Sequence, residues 1–212
     1  MHISEGFLSW EHAAAWTAVS LPFLVDSTRE TARRLGEDGE ARLRLGAAAG
    51  FLFLLSAIKL PSVAGSCSHA VGVAVGTILM GPRVMTALSC VVLVFQALLL
   101  AHGGITTLGA NLFALGVAGP WAAWLVAGGG RPGRWRAFGA GLAGSVVTYA
   151  VTSGELALAF PDASGGVWGA FMRFAGLFAI TQVPIGVVEG IVTYTVLETI
   201  GERFGRPAEG LS

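Results

Sequence analysis

Apolar residues fall along this chain in seven runs, parted by short polar or glycine-rich breaks. A membrane-spanning helix needs about 20 predominantly apolar residues. Runs at 10–28, 45–60, 84–102, 107–127, 135–160 and 167–200 meet that need within the tolerance that tilt allows. A seventh, at 71–80, is short and ends at Gly81-Pro82. The pattern therefore predicts an all-α, polytopic membrane protein of seven transmembrane helices. The breaks at 61–70 and 101–106 carry no Asp, Glu, Lys or Arg. Together with the short third helix, the first of them reads as irregular backbone dipping into the bundle. Such backbone is tolerated at membrane depth only where protein covers it or it lines a polar cavity. Broken helices of this kind commonly build transporter sites.

Composition supports this reading. Of 212 residues, 54% are apolar and 12% charged, about half the charge of a soluble domain. Mean hydropathy is +0.70. The 31 glycines suit close helix approach in a bilayer. No stretch builds a second domain: the longest polar one, 26–44, is too short to bury a core. Residues 1–212 are thus expected to form a single membrane domain. A net charge of zero gives no case for nucleic acid as a partner. Two cysteines, Cys67 and Cys90, make no disulfide framework and read as small apolar residues.

Basic residues set the orientation. Arg29, Arg33, Arg34, Arg42 and Arg44 follow the first run, Arg83 the third, Arg131, Arg134 and Arg136 the fifth, and Arg203 and Arg206 the last. Lys59 stands on the other side. Cytoplasmic loops carry the excess of Lys and Arg. The amino terminus is therefore expected outside and the carboxyl terminus in the cytoplasm.

That orientation gathers histidines on one face. His2, His69 and His102 lie in three of the four outer pieces, with His12 at the top of the first helix as an interfacial anchor. The start, Met1-His2-Ile3-Ser4-Glu5, lacks the basic residues and small-residue cleavage site of a signal peptide. A bulky second residue also favours a retained Met1. Such a terminus is a chelator. Its amine, the His2 amide nitrogen and the His2 Nδ1 close a five- and a six-membered ring, held in one plane by the peptide. His69 is the natural fourth ligand. Planar nitrogen donors indicate Ni(II), Cu(II) or a similar late metal rather than zinc. Ser66, Ser68, His102, Thr107 and Asn111 are candidates to orient the ligating rings. Two other readings of the histidines stand beside this one. In the first, His69 and His102 are axial haem ligands in a membrane redox subunit. In the second, the chain is a scaffold without a ligand, which the polar, uncharged outer loops disfavour.

The segments MHISEGFL, KLPSVAGSCSHAVGVAVGTILMGP and VLVFQALLLAHGGITTLGANLFALGVAGPW resemble the substrate-binding membrane subunit of cobalt and nickel importers of the energy-coupling factor class. TQVPIGVVEG continues the likeness more weakly. The resemblance implies metal ligands at Met1, His2 and His69. The family often has Pro after that histidine, where this chain has Ala70. It implies uptake of Co(II), with Ni(II) as the alternative, through a bacterial inner membrane. It also implies four partners: a transmembrane coupling subunit, two cytoplasmic ATPase subunits and a small accessory membrane subunit. The chain is then a non-catalytic subunit, and it contains no GxxxxGK[ST] phosphate loop. Small-residue faces at 46–50 and 186–190 are candidates for contact with the coupling subunit, or for packing within the chain.

Overall fold

The computed structural model describes residues 2–37, 39–57, 60–61, 66–70, 72–130 and 132–203, and for 60–61, 66–68 and 201–203 it describes the backbone alone. Among the described residues the chain forms seven helices and three short strands. The helices are α1 (Trp10–Glu37), α2 (Ala41–Ala57), α3 (Val73–Met80), α4 (Pro82–Leu100), α5 (Leu108–Ala127), α6 (Arg134–Ala159) and α7 (Gly166–Arg203). The strands are β1 (His2–Ile3), β2 (Leu60–Pro61) and β3 (Ser66–Ser68). By length and composition, α4, α5, α6 and the 166–200 part of α7 can each cross a membrane. Their outward faces carry Phe95, Leu98, Leu125, Met172 and Ile180, all exposed, as a lipid-facing surface requires.

Three readings of the sequence need correction. First, the basic stretch after residue 28 is not a loop at its start. Helix α1 continues to Glu37 because its charges pair along one face. Glu30 takes Arg33 at 2.8 Å and Arg34 at 2.7 Å, and Arg33 also takes Glu37 at 2.6 Å. These are i,i+3 and i,i+4 spacings, where side chains on a helix meet. Second, the 61–70 break is not wholly irregular. Strand β3 is the middle of a three-stranded antiparallel sheet, with β1 on one side (His2 opposite Cys67) and β2 on the other (Leu60 opposite Ser68). Pairing satisfies backbone groups that the membrane could not. Third, Lys59 is joined by Arg173, in α7, as a basic residue outside the Arg-bearing breaks. Arg173 pairs with Asp162 in the α6–α7 turn at 2.5 Å. Lys59 itself lies outside the described residues.

Helix α5 is regular at both ends and widens to a π-helix over Phe113–Ala118. Neighbouring hydroxyls take up carbonyls there: Thr86 Oγ1 donates to Gly116 at 2.8 Å and Thr148 Oγ1 to Ala114 at 3.3 Å. Of the two small-residue faces, 186–190 packs internally. A Cβ on Gly186 would lie 3.0 Å from Leu142 Cδ1, and one on Gly190 2.7 Å from Phe138 Cδ2. Gly46 and Gly50 meet nothing within 4 Å and leave their side of α2 open. Cys90 is a free, half-buried thiol on α4, while the Cys67 side chain lies outside the described residues.

Candidate metal centre

Strand β1 brings His2 to the centre of the fold. Its neighbour Ile3 is 1% exposed and packs with Leu8, Ala110, Leu156 and Phe178. The Ile3 backbone is held from α5. Asn111 Oδ1 accepts the Ile3 N–H at 2.7 Å, and Asn111 Nδ2 donates to the Ile3 carbonyl at 3.0 Å. Thr107 Oγ1 donates to the same carbonyl at 2.8 Å. One carboxamide thus pairs with both backbone groups, as a neighbouring strand would. The next residues are tied to the 101–107 turn. The Glu5 N–H donates to the Gly103 carbonyl at 3.1 Å, Gly6 N–H to Thr106 Oγ1 at 3.1 Å, and Thr106 N–H to the Glu5 carboxylate at 3.1 Å. A Cβ on Gly104 would stand 2.5 Å from Glu5 Cα, so only glycine lets the two segments approach this closely.

His102 reaches the same place from α4. That helix ends in a left-handed turn at Ala101, φ 47°, an unusual conformation for a residue with a Cβ. The His102 N–H then returns to the Gln96 carbonyl at 3.1 Å. The Ala101 N–H meets the same carbonyl, which completes a left-handed helix stop, and the turn brings His102 to His2. His69 follows directly on β3.

Three imidazoles therefore converge, and all are buried: His2 is 1% exposed, His69 2% and His102 1%. His2 Nδ1 lies 2.6 Å from His69 Nε2 and 3.0 Å from His102 Nε2. One ligand atom from each ring falls within 4.8 Å of the other two. With metal–nitrogen bonds of about 2.0–2.1 Å, two donors at right angles on one ion sit about 2.9 Å apart. His2 Nδ1 stands near that distance from both neighbouring rings. His69 Nδ1 lies 3.0 Å from the Ala70 carbonyl. A proton on Nδ1 in that bond leaves the Nε2 lone pair facing the cluster, which is how metal-binding histidines are commonly oriented. The ring of His2 is kept well below its usual pKa, first by burial and then by the His69 ring beside it. It is neutral at neutral pH, as a ligand must be. Its Nε2 has no hydrogen-bond partner among the described residues.

The sequence-predicted residues fall into three groups. His2 and His69 meet as expected, through the His2 Nδ1 that the chelate argument singled out. Met1 lies outside the described residues, as do the side chains of Ser66 and Ser68, whose backbones pair within the small sheet. Thr107 and Asn111 do not touch an imidazole in any described bond; they clamp the backbone of Ile3. His102, expected to orient a ligand, stands among the candidate ligands themselves. His12 bonds with Ser9 at 3.0 Å and takes no part. The arrangement also disfavours haem between His69 and His102. Their ring centroids are 4.7 Å apart, and His2 lies within 4.6 Å of both, where a macrocycle would have to pass.

Sequence reasoning missed Glu155 and Glu189, carboxyl groups buried in α6 and α7. An ionisable residue inside an apolar run was a sufficient signal for either.

Fold and cluster together define a helical integral membrane protein with a buried, all-nitrogen donor set. Residues 2–204 match the family model described as the cobalt uptake substrate-specific transmembrane region. The chain belongs to that family. It is 48% identical over 210 residues to a cobalt transport protein, CbiM, of Anoxybacillus flavithermus, covering 96% of this chain and 84% of that one. Its identity to the protein of the same name from Streptomyces coelicolor is 49% over 207 residues, covering 94% and 88%. Among solved structures, a truncated transition metal transporter superposes with a TM-score of 0.80 at 24% identity, covering 94% of this chain and 98% of that one. That likeness is one of fold. The family resemblance read from the MHISEGFL and SCSH segments is thereby borne out.

Proposed function

We propose that this chain binds Co(II) at the outer face of a bacterial inner membrane and serves as the substrate-specificity subunit of an energy-coupling factor importer. The observation that carries the reading is the buried convergence of three imidazoles: His2 Nδ1 lies 2.6 Å from His69 Nε2 and 3.0 Å from His102 Nε2, and one nitrogen of each ring lies within 4.8 Å of the others. Membership of the cobalt uptake family supports cobalt as the ion, and the same donors would take Ni(II). Met1 contributes its amine and His2 its amide nitrogen, completing a planar set with His2 Nδ1 and His69, and His102 approaches from the side. In this reading the seven helices form one membrane domain, with α3 too short to cross it alone. The amino terminus lies outside, and the carboxyl terminus faces the cytoplasm with the Arg-rich inner ends of α1 and α6. ATP is hydrolysed by two partner ATPases, coupled through a second membrane subunit and assisted by a small accessory one.

The test is cobaltous chloride titration of the purified protein in lipid nanodiscs. His69→Ala abolishes binding, and so does one extra residue ahead of Met1. His102→Ala weakens binding and changes the visible spectrum of bound Co(II) while leaving binding measurable. Unchanged affinity in His69→Ala would overturn the site. Unchanged affinity in the extended chain would overturn the amine and amide ligands alone.

A further inference from the structure

A histidine on a flexible segment is a poor ligand until its backbone is held. His69 stands just past β3, and three residues on the chain turns through left-handed Gly72, φ 72°, and enters α3. What holds Gly72 is a carboxylate from α7. Both oxygens of Glu189 lie 3.0 Å from the Gly72 amide nitrogen. Glu189 is 3% exposed and lies in a helix long and apolar enough to cross the membrane. Burial of a carboxylate there is costly unless hydrogen bonds offset it. The Gly72 amide and the amino end of α3, with its positive helix dipole, supply part of that offset. The opposite face of Gly72 is closed, since a Cβ there would lie 2.8 Å from Phe51 and 2.9 Å from Leu55. At the far end of α3, Arg34 Nη1 donates to the Met80 carbonyl at 2.6 Å. The eight-residue rod is thus pinned by a carboxylate at its amino end and a guanidinium at its carboxyl end.

We propose that Glu189 is a positioning residue for the metal site. Through the Gly72 amide it fixes the height at which His69 meets His2. Metal–ligand distances tolerate about 0.2 Å, so the backbone that carries His69 must be held. The inference rests on the reading of His69 as a ligand. It gives the buried carboxylate of α7 a role in affinity that neither its charge nor its depth alone would require.

The experiment uses the full chain in nanodiscs, titrated with cobaltous chloride against a chromophoric chelator, with the visible ligand-field spectrum recorded at saturation. Glu189→Gln keeps the side chain's size and loses one acceptor. Glu189→Asp keeps the charge and falls short of Gly72 by a methylene. Each is expected to weaken Co(II) binding about 10- to 100-fold, the usual cost of losing support behind a ligand, and to change the spectrum. Where Glu189→Gln does not fold, Glu189→Asp decides. A purely structural role would lower the unfolding temperature of the metal-free protein and leave affinity and spectrum at wild-type values; that result overturns the proposal. If wild-type protein binds no Co(II), or His69→Ala binds as well as wild type, the site reading fails and this inference fails with it. Wild-type binding, loss in His69→Ala and no change at Glu189 reject the positioning role alone.

Discussion

Asn111→Ala tests whether docking of the amino-terminal strand sets metal affinity. The change removes two bonds to Ile3, at 2.7 Å and 3.0 Å, and one to Thr107 at 3.1 Å. The Ile3 carbonyl keeps Thr107 at 2.8 Å, so its loss is small. The Ile3 N–H keeps nothing among the described bonds, and an unsatisfied buried donor costs about 1–3 kcal/mol. A water entering the vacated polar space recovers part of this. The net penalty is about 2 kcal/mol, or roughly 30-fold in an equilibrium constant. Where the penalty appears depends on when the strand docks. If metal binding drives docking, the Kd for Co(II) rises about 30-fold. If the strand is docked beforehand, the metal-free protein loses the 2 kcal/mol in stability instead and Kd moves less. Chelator competition and thermal unfolding, both with and without Co(II), separate the two cases. Asn111→Asp is expected to be at least as harmful, because it turns the donor facing the Ile3 carbonyl into a charged acceptor. A variant with wild-type Kd and wild-type stability would refute the clamp.

Two further outcomes are expected. Gly104→Ala must push residues 4–6 away, because its Cβ would meet not only the Glu5 carboxylate but also Glu5 Cα, at 2.5 Å; overpacking of about 1–3 kcal/mol is expected to weaken Co(II) binding at least 5-fold while helix content by circular dichroism holds. Asp162 has its pKa lowered to about 2, first by the Gly165 N–H, then by the Ser164 hydroxyl and N–H, with Arg173 adding to them. A lowered carboxylate pKa adds stability above the unfolded-state value near 3.9 that is lost as pH falls through about 2. The unfolding temperature of Asp162→Asn should therefore lie below that of wild type at pH 6, and the gap should close as pH approaches 2. A gap that persists unchanged at pH 2 would show that the loss is not electrostatic.

Helix existence was legible because bilayer-length apolar runs are a strong signal. Six of the seven helices begin and end within a few residues of the runs in the chain, and α1 departs only at its end. What the pattern hid was where polar groups complete one another. Hydropathy ends α1 near residue 28, but Glu30 bonds two arginines on its own helix and carries the helix on to Glu37. Local spacing could have revealed that, since all the partners lie three or four residues away. The 61–70 segment could not have been read the same way. One strand partner, His2–Ile3, is more than sixty residues distant; the other, Leu60–Pro61, is close by, but two-residue strands leave no periodicity.

A longer separation hides which group His102, Thr107 and Asn111 each face. Each was recognised as a polar group near the site, but residue type does not say whether it faces a ring or a backbone. The deciding fact is that β1 is too short to support itself. Two paired residues give a pair of strands almost no stability alone, so something else must carry the backbone of Ile3. Asn111 is the side chain in reach with both a donor and an acceptor, and it is consumed there. Thr107 is consumed by the same carbonyl. With both committed to Ile3, the polar group left to face the His2 ring from the 101–111 stretch is His102, at 3.0 Å. Its place in the cluster thus follows from how a very short strand at the start of the chain is held.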